Sequence, residues 1–279
     1  MTAIALIGAG GKMGFRCASN LRNAPYETRY VEIASAGRER LAAIGIAAVS
    51  AEQALAGADI VVLAVPDSAI GKVTQGLNPM IRPDVMVVCL DAAAPFAGGL
   101  PARDDVAYFV THPCHPPIFN DETELEAKRD YYGGIKAHQH IVCALMQGSE
   151  DNYARGEALA RQLFAPVLRS HRLNVGQMAL LEPALSETVS ATCVDMIREA
   201  MEETVRRGVP AQAARDFVLG HLTIQIAILF GELPGVVFSD AANKALELAR
   251  SQLFQPDWKK VFEPAAVAES IQMITRPAG

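Results

Sequence analysis

Short apolar runs alternate with amphipathic stretches through the first half of the chain. Apolar runs short enough for buried strands cover residues 3–7, 59–65, 85–90 and 106–110, and residues 30–35 form a further predicted strand. Helical periodicity falls between them, at residues 12–21, 37–43, 51–56 and 68–77. Buried strands separated by helices are typical of parallel sheets that are covered on both faces. We therefore predict an α/β fold whose N-terminal part is a doubly wound Rossmann sheet.

The pattern becomes purely helical after about residue 174. Two later strands are predicted at residues 140–147 and 167–172, with a helix at 150–164 between them. The periodicity that remains is helical, at residues 178–207, 211–230, 241–254 and 264–274. We predict a dinucleotide-binding Rossmann domain over residues 1–172 and an all-α substrate and dimerisation domain over residues 173–279. Because small domains with such apolar helices often bury them against a second copy, we expect a homodimer through the helical domain.

A glycine-rich turn follows the first predicted strand, in the sequence Gly8-Ala9-Gly10-Gly11-Lys12-Met13-Gly14. A turn between a buried strand and a helix leaves backbone N–H groups free at the positive end of the helix dipole, where a pyrophosphate can bind. Gly8 would allow the tight turn, Gly10 the approach of phosphate and Gly14 the packing of helix on strand. The spacing is GxGxxxG rather than GxGxxG, and a purely structural turn is the alternative. The predicted cofactor-binding residues of this loop are Gly8, Gly10, Gly11, Lys12, Met13 and Gly14.

The end of the second predicted strand bears on the choice between NAD and NADP. An acidic side chain usually stands there when the ribose 2′-hydroxyl is bound. Here the strand end reads Ser35-Ala36-Gly37-Arg38, and Glu32 falls inside the predicted strand, too early for that role. Arg38 would lie against the adenine, meet a 2′-phosphate or stay solvated. We predict Ser35 and Arg38 as cofactor contacts and NAD as the cofactor, with NADP left open.

Composition narrows the class of protein. The chain has 279 residues, 51% of them hydrophobic and 20% charged, with a formal net charge of −6, which is typical of globular domains. Since no basic stripe is visible, neither nucleic acid nor an anionic membrane is an expected partner. No apolar run reaches about 18 residues and no basic region precedes the first strand, so we expect no membrane span and no signal peptide. Five dispersed cysteines without CxxC spacing favour a reducing compartment, and we expect a cytoplasmic location.

Polar residues and prolines follow the ends of the predicted parallel strands. Ligands of such sheets bind beyond the carboxyl ends of the strands, which predicts a shared crevice there. The residues expected to ring it are Pro66, Asp67, Asp91, Ala92, Thr111 and His112. Among them, Pro66, Asp67 and Asp91 are predicted cofactor contacts.

Two histidines three residues apart stand in the sequence Thr111-His112-Pro113-Cys114-His115-Pro116-Pro117. Prolines fix φ and remove N–H donors, which predicts a rigid loop at the crevice. Histidine acts near neutral pH as a general acid or base or as a metal ligand. We predict catalytic roles for His112 and His115; the alternative is that one of them only packs or caps the loop.

Two residues of the helical domain could hold a divalent ion. Glu182 precedes Pro183, so a helix must begin or kink there. His221 stands at the head of a largely apolar helix. Each has an ordinary alternative, a surface cap for Glu182 and a core histidine for His221. Together they would supply carboxylate and imidazole ligands, so we predict Glu182 and His221 as metal ligands, with His112 as a further candidate.

The order of these features resembles the 6-phosphogluconate and β-hydroxyacid dehydrogenase superfamily, in the glycine loop and in Leu63-Ala64-Val65-Pro66. It is more similar to the ketol-acid reductoisomerases, through Gly208-Val209-Pro210, the stretch from His221 to Gly231, and Phe238-Ser239-Asp240-Ala241-Ala242. That resemblance implies a helical domain that interlocks with its dimer partner and binds magnesium through acidic side chains. It also implies that Ser239 contacts the substrate carboxylate.

The chain departs from the reductoisomerases at several functional positions. Where that family has an aspartate and, four residues on, a glutamate, this chain has Met178 and Glu182, so only the glutamate is kept. The family's histidine after the fifth strand corresponds to Ala92. Its Pro-Lys pair in the next loop is replaced by the segment that contains His112 and His115. The chain is more similar still to the D-apionate oxidoisomerase group, a set of bacterial sugar-acid enzymes.

This resemblance implies an NAD-dependent oxidoisomerase of a branched sugar acid, of the D-apionate to 3-oxo-isoapionate type. The 2-hydroxyl would be oxidised, and the carboxylate-bearing group would then migrate with the help of a divalent cation such as magnesium. His112 or His115 would take the hydroxyl proton, with Glu182 in the catalytic set.

Two other classes of protein remain open. The first is a plain NAD(P)-dependent hydroxyacid dehydrogenase without migration. That superfamily usually uses a lysine on the first helix of the second domain, and residues 175–201 contain none. The second is a non-enzymatic cofactor-binding sensor, which the proline-stiffened double-histidine loop disfavours.

Overall fold

The computed structural model describes residues 1–276, and these contain one seven-stranded sheet. The strands are β1 (Ala3–Ile7), β2 (Glu27–Val31), β3 (Ile60–Leu63), β4 (Met86–Cys89), β5 (Ala107–Pro113), β6 (Gln139–Gln147) and β7 (Val167–Arg172). They lie in the order β2-β1-β3-β4-β5-β6-β7. The first five run parallel, as the alternating pattern predicted, whereas β6 is antiparallel to β5 and β7 is parallel to β6. The α/β Rossmann prediction is confirmed, and the reversal at β6 was not predicted.

Helices cover both faces of the sheet, and each face has its own apolar core. Leu6 and Phe109 lie in one core with Leu159, and Val61 and Met178 lie in the other. Such two-sided burial explains why the strands read as continuous apolar runs. The helices of this part are α1 (Lys12–Leu21), α2 (Ser35–Ala43), α3 (Ala51–Leu55), α4 (Asp67–Leu77), α5 (Ala93–Phe96), α6 (Leu125–Lys128), α7 (Glu150–Leu163) and α8 (Val175–Ala179).

Helices also form the rest of the described chain. They are α9 (Thr192–Arg206), α10 (Ala211–Leu229), α11 (Asp240–Leu253) and α12 (Pro264–Thr275), with short 3₁₀ turns at Asn78–Met80 and Trp258–Phe262. None of the helices within residues 1–276 is long and apolar enough to cross a membrane.

The chain forms two compact units, and their boundary lies later than residue 172. Among the described residues, the first unit comprises Met1–Pro183 together with residues 268–276, and the second comprises Ala184–Val267. The first unit extends past β7 because α8 continues onto the sheet, where Met178 is buried in the core.

The helix expected over residues 178–207 is divided in the structure. After α8, residues Leu180–Ala191 wind as a π-helix, and α9 begins at Thr192. Pro183 lies inside this wider stretch, where its missing N–H and its ring would disrupt α-helical hydrogen bonding. The sequence predicted a start or kink at Glu182, and the structure resolves it as a widened helix, a distortion that recurs at functional sites.

Candidate active site

The glycine loop connects β1 to α1 under tight steric constraints. Gly8 has φ +79°, a left-handed conformation suited to glycine. A Cβ at Gly14 would lie 2.0 Å from the carbonyl oxygen of Gly8, so only glycine lets the helix approach the loop. A Cβ at Gly10 would lie 2.5 Å from the Cα of Gly37, so packing against α2 also requires this glycine. No side chain caps α1, which leaves its first N–H groups for a ligand.

Glu32 lies at the end of the second strand, where the sequence analysis expected no acidic side chain. Because β2 covers Glu27–Val31 rather than residues 30–35, Glu32 directly follows the strand. Its buried carboxylate accepts hydrogen bonds from the N–H of Gly10 and the N–H of Ala34, both at 2.8 Å. The prediction that Glu32 comes too early was therefore wrong, and the error came from placing the strand three residues late at its start.

Ser35 and Arg38 lie in the first turn of α2, beside this carboxylate. The Nε of Arg38 donates to the carbonyl of Glu32 at 2.7 Å. Arg38 therefore helps to fix the backbone that carries Glu32. Whether Ser35 or Arg38 contacts a cofactor stays a prediction.

A cavity of about 290 Å³ opens at the carboxyl ends of β1, β3, β4 and β5. It confirms the position expected for a crevice in this class of sheet. Thr111 is turned away from it, since its hydroxyl donates to the carbonyl of Val142 at 2.9 Å, and Ala92 is buried. The cavity is lined by Gly11, Lys12, Met13, Leu63, Ala64, Val65, Pro66, Ile70, Leu90, Asp91 and His112.

His112 lies at the centre of a polar cluster at the edge of this cavity. Its Nε2 lies 2.7 Å from Oε2 of Glu182, and its Nδ1 lies 2.8 Å from the carbonyl oxygen of Leu90 and 3.3 Å from Oδ2 of Asp91. The carbonyl can only accept, so Nδ1 carries a proton. Burial alone would lower the pKa of His112, but the hydrogen bond and charge of Glu182, together with Asp91, raise it to about 9. The imidazole is therefore a strongly basic group held in one orientation.

Asp67 and Asp91 add negative charge to the same cluster. Asp91 follows β4, and its Oδ1 accepts the N–H of Ala93 at 2.8 Å. Burial raises the pKa of Asp91, with His112 opposing the rise. Burial, followed by the charge of Asp91, raises the pKa of Asp67 to about 6. Such displaced pKa values are typical of functional sites.

Asp91, His112 and Glu182 have the donor set of a cation site. One ligand atom from each lies within 4.8 Å of the others, giving two carboxylate oxygens and one imidazole nitrogen. The structure thus brings Glu182 together with His112, as the sequence allowed, and adds Asp91, which sequence reasoning assigned only to the cofactor. The signal was present: Asp91 and His112 lie at the ends of neighbouring parallel strands.

His115 lies near His112 in an unusual backbone conformation. Its φ is +61°, and the centroids of the two imidazoles are 6.1 Å apart. Its Nδ1 lies 2.9 Å from the carbonyl oxygen of Tyr132, and the Tyr132 ring packs edge-on against the imidazole. Left-handed residues other than glycine are uncommon and concentrate at functional sites. The catalytic role of His115 stays a prediction.

His221 and Ser239 lie in the second compact unit. On α10, Nδ1 of His221 is 2.8 Å from the carbonyl oxygen of Phe217, and the two rings stack with centroids 3.9 Å apart. Ser239 caps α11, where its Oγ accepts the N–H of Ala242 at 3.2 Å. These contacts give both residues a local structural role. Their roles as metal ligand and substrate contact stay predictions.

Comparison with known proteins identifies both parts of the chain. Residues 3–94 match the family model described as NADP oxidoreductase coenzyme F420-dependent, and residues 120–275 match the C-terminal model of phosphogluconate dehydrogenase (decarboxylating). A D-apionate oxidoisomerase from Rhizobium rhizogenes is 57% identical over 99% of this chain and 100% of its own length.

Solved structures agree with these matches. A semialdehyde dehydrogenase NAD-binding protein from Cupriavidus necator, in complex with calcium and NAD, is 56% identical with a TM-score of 0.96, over 99% of this chain and 100% of its own. An NADH-preferring ketol-acid reductoisomerase from an uncultured archaean is 15% identical with a TM-score of 0.70, over 98% of this chain and 82% of its own, which shows the shared fold alone. The chain therefore belongs to the D-apionate oxidoisomerase family and, with it, to the NAD(P)-dependent oxidoreductases.

Proposed function

We propose that the chain is an NAD-dependent oxidoisomerase of a branched sugar acid of the D-apionate type. The observation that carries the proposal is the pairing of His112 with Glu182 and Asp91 at the edge of the cavity beside the glycine loop. A basic imidazole at that place suits oxidation of a hydroxyl, and the family relationship supplies the substrate class.

In the first step, we assign the hydroxyl proton of C2 to Nε2 of His112. The C2 hydride passes to the nicotinamide, and the product is a 2-keto acid. The Leu90 carbonyl holds the Nδ1 proton, so Nε2 is the nitrogen that exchanges a proton with the substrate. Because the pKa of His112 is raised to about 9, the neutral form that accepts this proton becomes more populated as pH rises, and turnover should rise toward pH 9. Glu182 and Asp91 stabilise the imidazolium that forms, as the raised pKa of His112 reflects.

In the second step, the 2-keto acid rearranges by a 1,2-shift. One carbon–carbon bond at C3 breaks while its electron pair forms a bond to C2. The C3 hydroxyl becomes the new carbonyl and loses its proton, and the C2 oxygen gains a proton, which His112 can return. The migrating group carries its bonding electron pair to the electrophilic carbonyl carbon C2, so it must leave the hydroxyl-bearing carbon C3, whose oxygen becomes the new carbonyl. The proposed shift is therefore of a C3 substituent rather than of the carboxylate-bearing group expected from the sequence.

We further propose that carboxylate oxygens of Asp91 and Glu182 hold a divalent cation, in place of the predicted pair of Glu182 and His221. The two carboxylates lie close enough together for one ion, and His112 beside them keeps Nε2 for the substrate proton. A bound cation would polarise the substrate carbonyl and stabilise alkoxide charge. Magnesium is the expected ion, as the resemblance to the reductoisomerases implied.

Glu32 supports NAD over NADP as the cofactor. A carboxylate directly after β2 can accept the 2′-hydroxyl of the ribose, whereas a 2′-phosphate would bring like charges together. Two backbone N–H groups already hold this carboxylate in place. Sequence reasoning left the choice open because it did not place Glu32 at the strand end.

We also propose that the chain works as a homodimer through its second unit. Several large apolar side chains of this unit are exposed in the single chain, which supports burial against a second copy. They include Phe217, Leu229, Phe230, Val237 and Leu253. Sedimentation analysis should give a mass of two chains, and a single-chain mass at micromolar concentration would reject this proposal.

Cofactor reduction at 340 nm tests the proposed activity. The assay uses NAD and NADP with D-apionate and a panel of linear 2- and 3-hydroxy acids, with EDTA or with added magnesium. We expect magnesium-dependent NADH formation on D-apionate, and ¹³C NMR of the product should show a rearranged carbon skeleton. Metal-independent turnover of a linear acid, with an unchanged skeleton, would favour the plain dehydrogenase. Cofactor binding without turnover of any acid would favour the sensor.

A further inference from the structure

The segment between β5 and β6 carries a tyrosine that contacts the start of α1. The Tyr132 hydroxyl accepts a hydrogen bond from the ammonium of Lys12, which also lies 3.8 Å from the centroid of the tyrosine ring. The guanidinium carbon of Arg16, one helical turn further on, lies 4.7 Å from the same centroid. Two cations of α1 therefore pack on one aromatic ring from a distant part of the chain.

Hydrogen bonds and two left-handed glycines fix the backbone conformation around Tyr132. One carboxylate oxygen of Asp130 accepts the N–H groups of Ile135, Lys136 and Ala137 at 2.9–3.2 Å. Gly133 and Gly134 follow Tyr132 with φ +70° and +82° and are buried. These contacts close a compact turn, and they determine where the Tyr132 ring lies.

Tyr132 also contacts the histidine end of the site through its main chain. Its carbonyl oxygen lies 2.9 Å from Nδ1 of His115, and the centroids of the two rings are 5.9 Å apart. One residue therefore contacts Lys12, which lines the cavity, through its side chain, and His115, beside His112, through its carbonyl.

Lys12 is the first residue of α1, so its ammonium lies close to the helix start where a pyrophosphate would bind. Its contacts with Tyr132 are to a hydroxyl and a ring face, which leave its positive charge available to an anion. A lysine side chain that is already held in one rotamer loses less conformational entropy when it meets a phosphate.

We propose that Tyr132 is a positioning residue that pre-orients Lys12 for the dinucleotide pyrophosphate and, through its carbonyl, fixes His115 beside His112. The segment 114–138 would then contribute to cofactor binding alongside the glycine loop. This proposal rests on the proposed function only in its choice of NAD as the ligand. The hydroxyl acts on the cofactor through Lys12, and the ring and the carbonyl together hold His115.

A double-mutant cycle on NAD binding tests the first part. The variants are Tyr132→Phe, Lys12→Met and the pair together, with Tyr131→Phe as the matched control, because Tyr131 is the neighbouring tyrosine and is 77% exposed. Dissociation constants for NAD and for AMP are measured by calorimetry without substrate. Failure of the proposed sugar-acid activity would leave this measurement unaffected.

We expect Tyr132→Phe to weaken NAD binding about five-fold, as suits one partly exposed hydrogen bond to a charged group. In the background of Lys12→Met the same change should have no effect, because Tyr132 acts through Lys12. AMP, which has no pyrophosphate, should bind all variants alike, and Tyr131→Phe should bind NAD as the unaltered chain does. Equal effects of Tyr132→Phe with and without Lys12 would overturn the proposal, as would unaltered NAD affinity.

Tyr132→Ala tests the second part. Loss of the ring removes its edge-on packing against the His115 imidazole and leaves only the carbonyl contact to hold it, so we expect kcat to fall in addition to the loss of NAD affinity. Tyr132→Phe keeps the ring and should leave kcat at saturating NAD unchanged. NMR should show a changed His115 imidazole signal in Tyr132→Ala alone. A kcat and a His115 signal that stay unchanged in Tyr132→Ala, at an unchanged melting temperature, would reject the link to His115.

Discussion

Nε2 of His112 lies 2.7 Å from Oε2 of Glu182, across the junction between a strand end and a widened helix. Strand β5 presents the imidazole at the edge of the sheet, and the π-helical stretch presents the carboxylate. The contact makes the proton affinity of His112 depend on the conformation of the chain around Pro183.

Replacing Glu182 by Gln should lower the pKa of His112 from about 9 toward its ordinary value of 6.5, because the negative charge is lost and the remaining amide oxygen is a weaker acceptor for the imidazolium. The measurement is an NMR titration of the histidine ring protons in EDTA. Glu247→Gln, on exposed α11, is the control and should leave the titration unchanged. An unshifted His112 signal in Glu182→Gln would show that this contact does not set its pKa.

The same shift predicts how stability depends on pH. The folded pKa of His112 is raised above 6.5, so the pairing contributes its full stability below pH 6.5 and loses it as pH rises through about 9. In EDTA, the free energy of unfolding should therefore fall between these values. The fall should be smaller in Glu182→Gln, as chemical denaturation at a series of pH values will show.

Replacing Glu32 by Gln should raise the KM for NAD roughly ten-fold and improve the relative use of NADP, since the negative charge that repels a 2′-phosphate is removed. The ratio of kcat/KM for the two cofactors is the measurement. Glu39→Gln, on the exposed side of α2, is the matched control. An unchanged ratio in Glu32→Gln would assign cofactor choice to other residues.

Gly14→Ala should destabilise the chain by about 3 kcal/mol and abolish NAD binding, because the new Cβ would lie 2.0 Å from the carbonyl oxygen of Gly8. Gly76→Ala is the control: Gly76 is exposed on α4, where a Cβ meets nothing within 4 Å, and the change should stabilise the chain by up to about 1 kcal/mol. Thermal denaturation with and without NAD compares the two. Equal stability would mean that α1 can retreat from the loop.

Asp91→Asn should weaken calcium and magnesium binding by at least about ten-fold, since a neutral amide replaces a charged oxygen ligand. Calorimetric titration of the metal-free protein measures the affinity, and the exposed Asp104→Asn is the control. If both variants bind calcium as the unaltered chain does, the proposed ligand set is wrong.

The site residues that lie at the carboxyl ends of the parallel strands could be predicted from the sequence. Residues at the carboxyl ends of neighbouring parallel strands meet at one side of the sheet. Asp91 lies two residues beyond β4, and His112 is the penultimate residue of β5. Glu32 was missed for a narrow reason, because the apolar pattern of β2 is weak and its exposed start at Glu27 does not read as a strand.

Contacts between distant segments could not be predicted in this way. The approach of Glu182 to His112 depends on how the helix absorbs Pro183, and periodicity carries no information on that. The contact between Tyr132 and Lys12 joins residues 120 positions apart and depends on a turn closed by one aspartate. Local patterns specify elements, whereas such contacts depend on tertiary packing.

The reversal of β6 has a consequence for the whole connection that precedes it. In the antiparallel pair, Pro113 at the end of β5 lies opposite Ile141 near the start of β6. The chain therefore leaves β5 and enters β6 at the same end of the sheet, and the segment 114–138 does not have to cross a face of the sheet. If β6 were parallel to β5, this segment would have to return to the other end of the sheet, usually as a crossover helix. The antiparallel pairing leaves the segment free to fold at that end of the sheet, where His115 packs beside His112 and Tyr132 contacts Lys12.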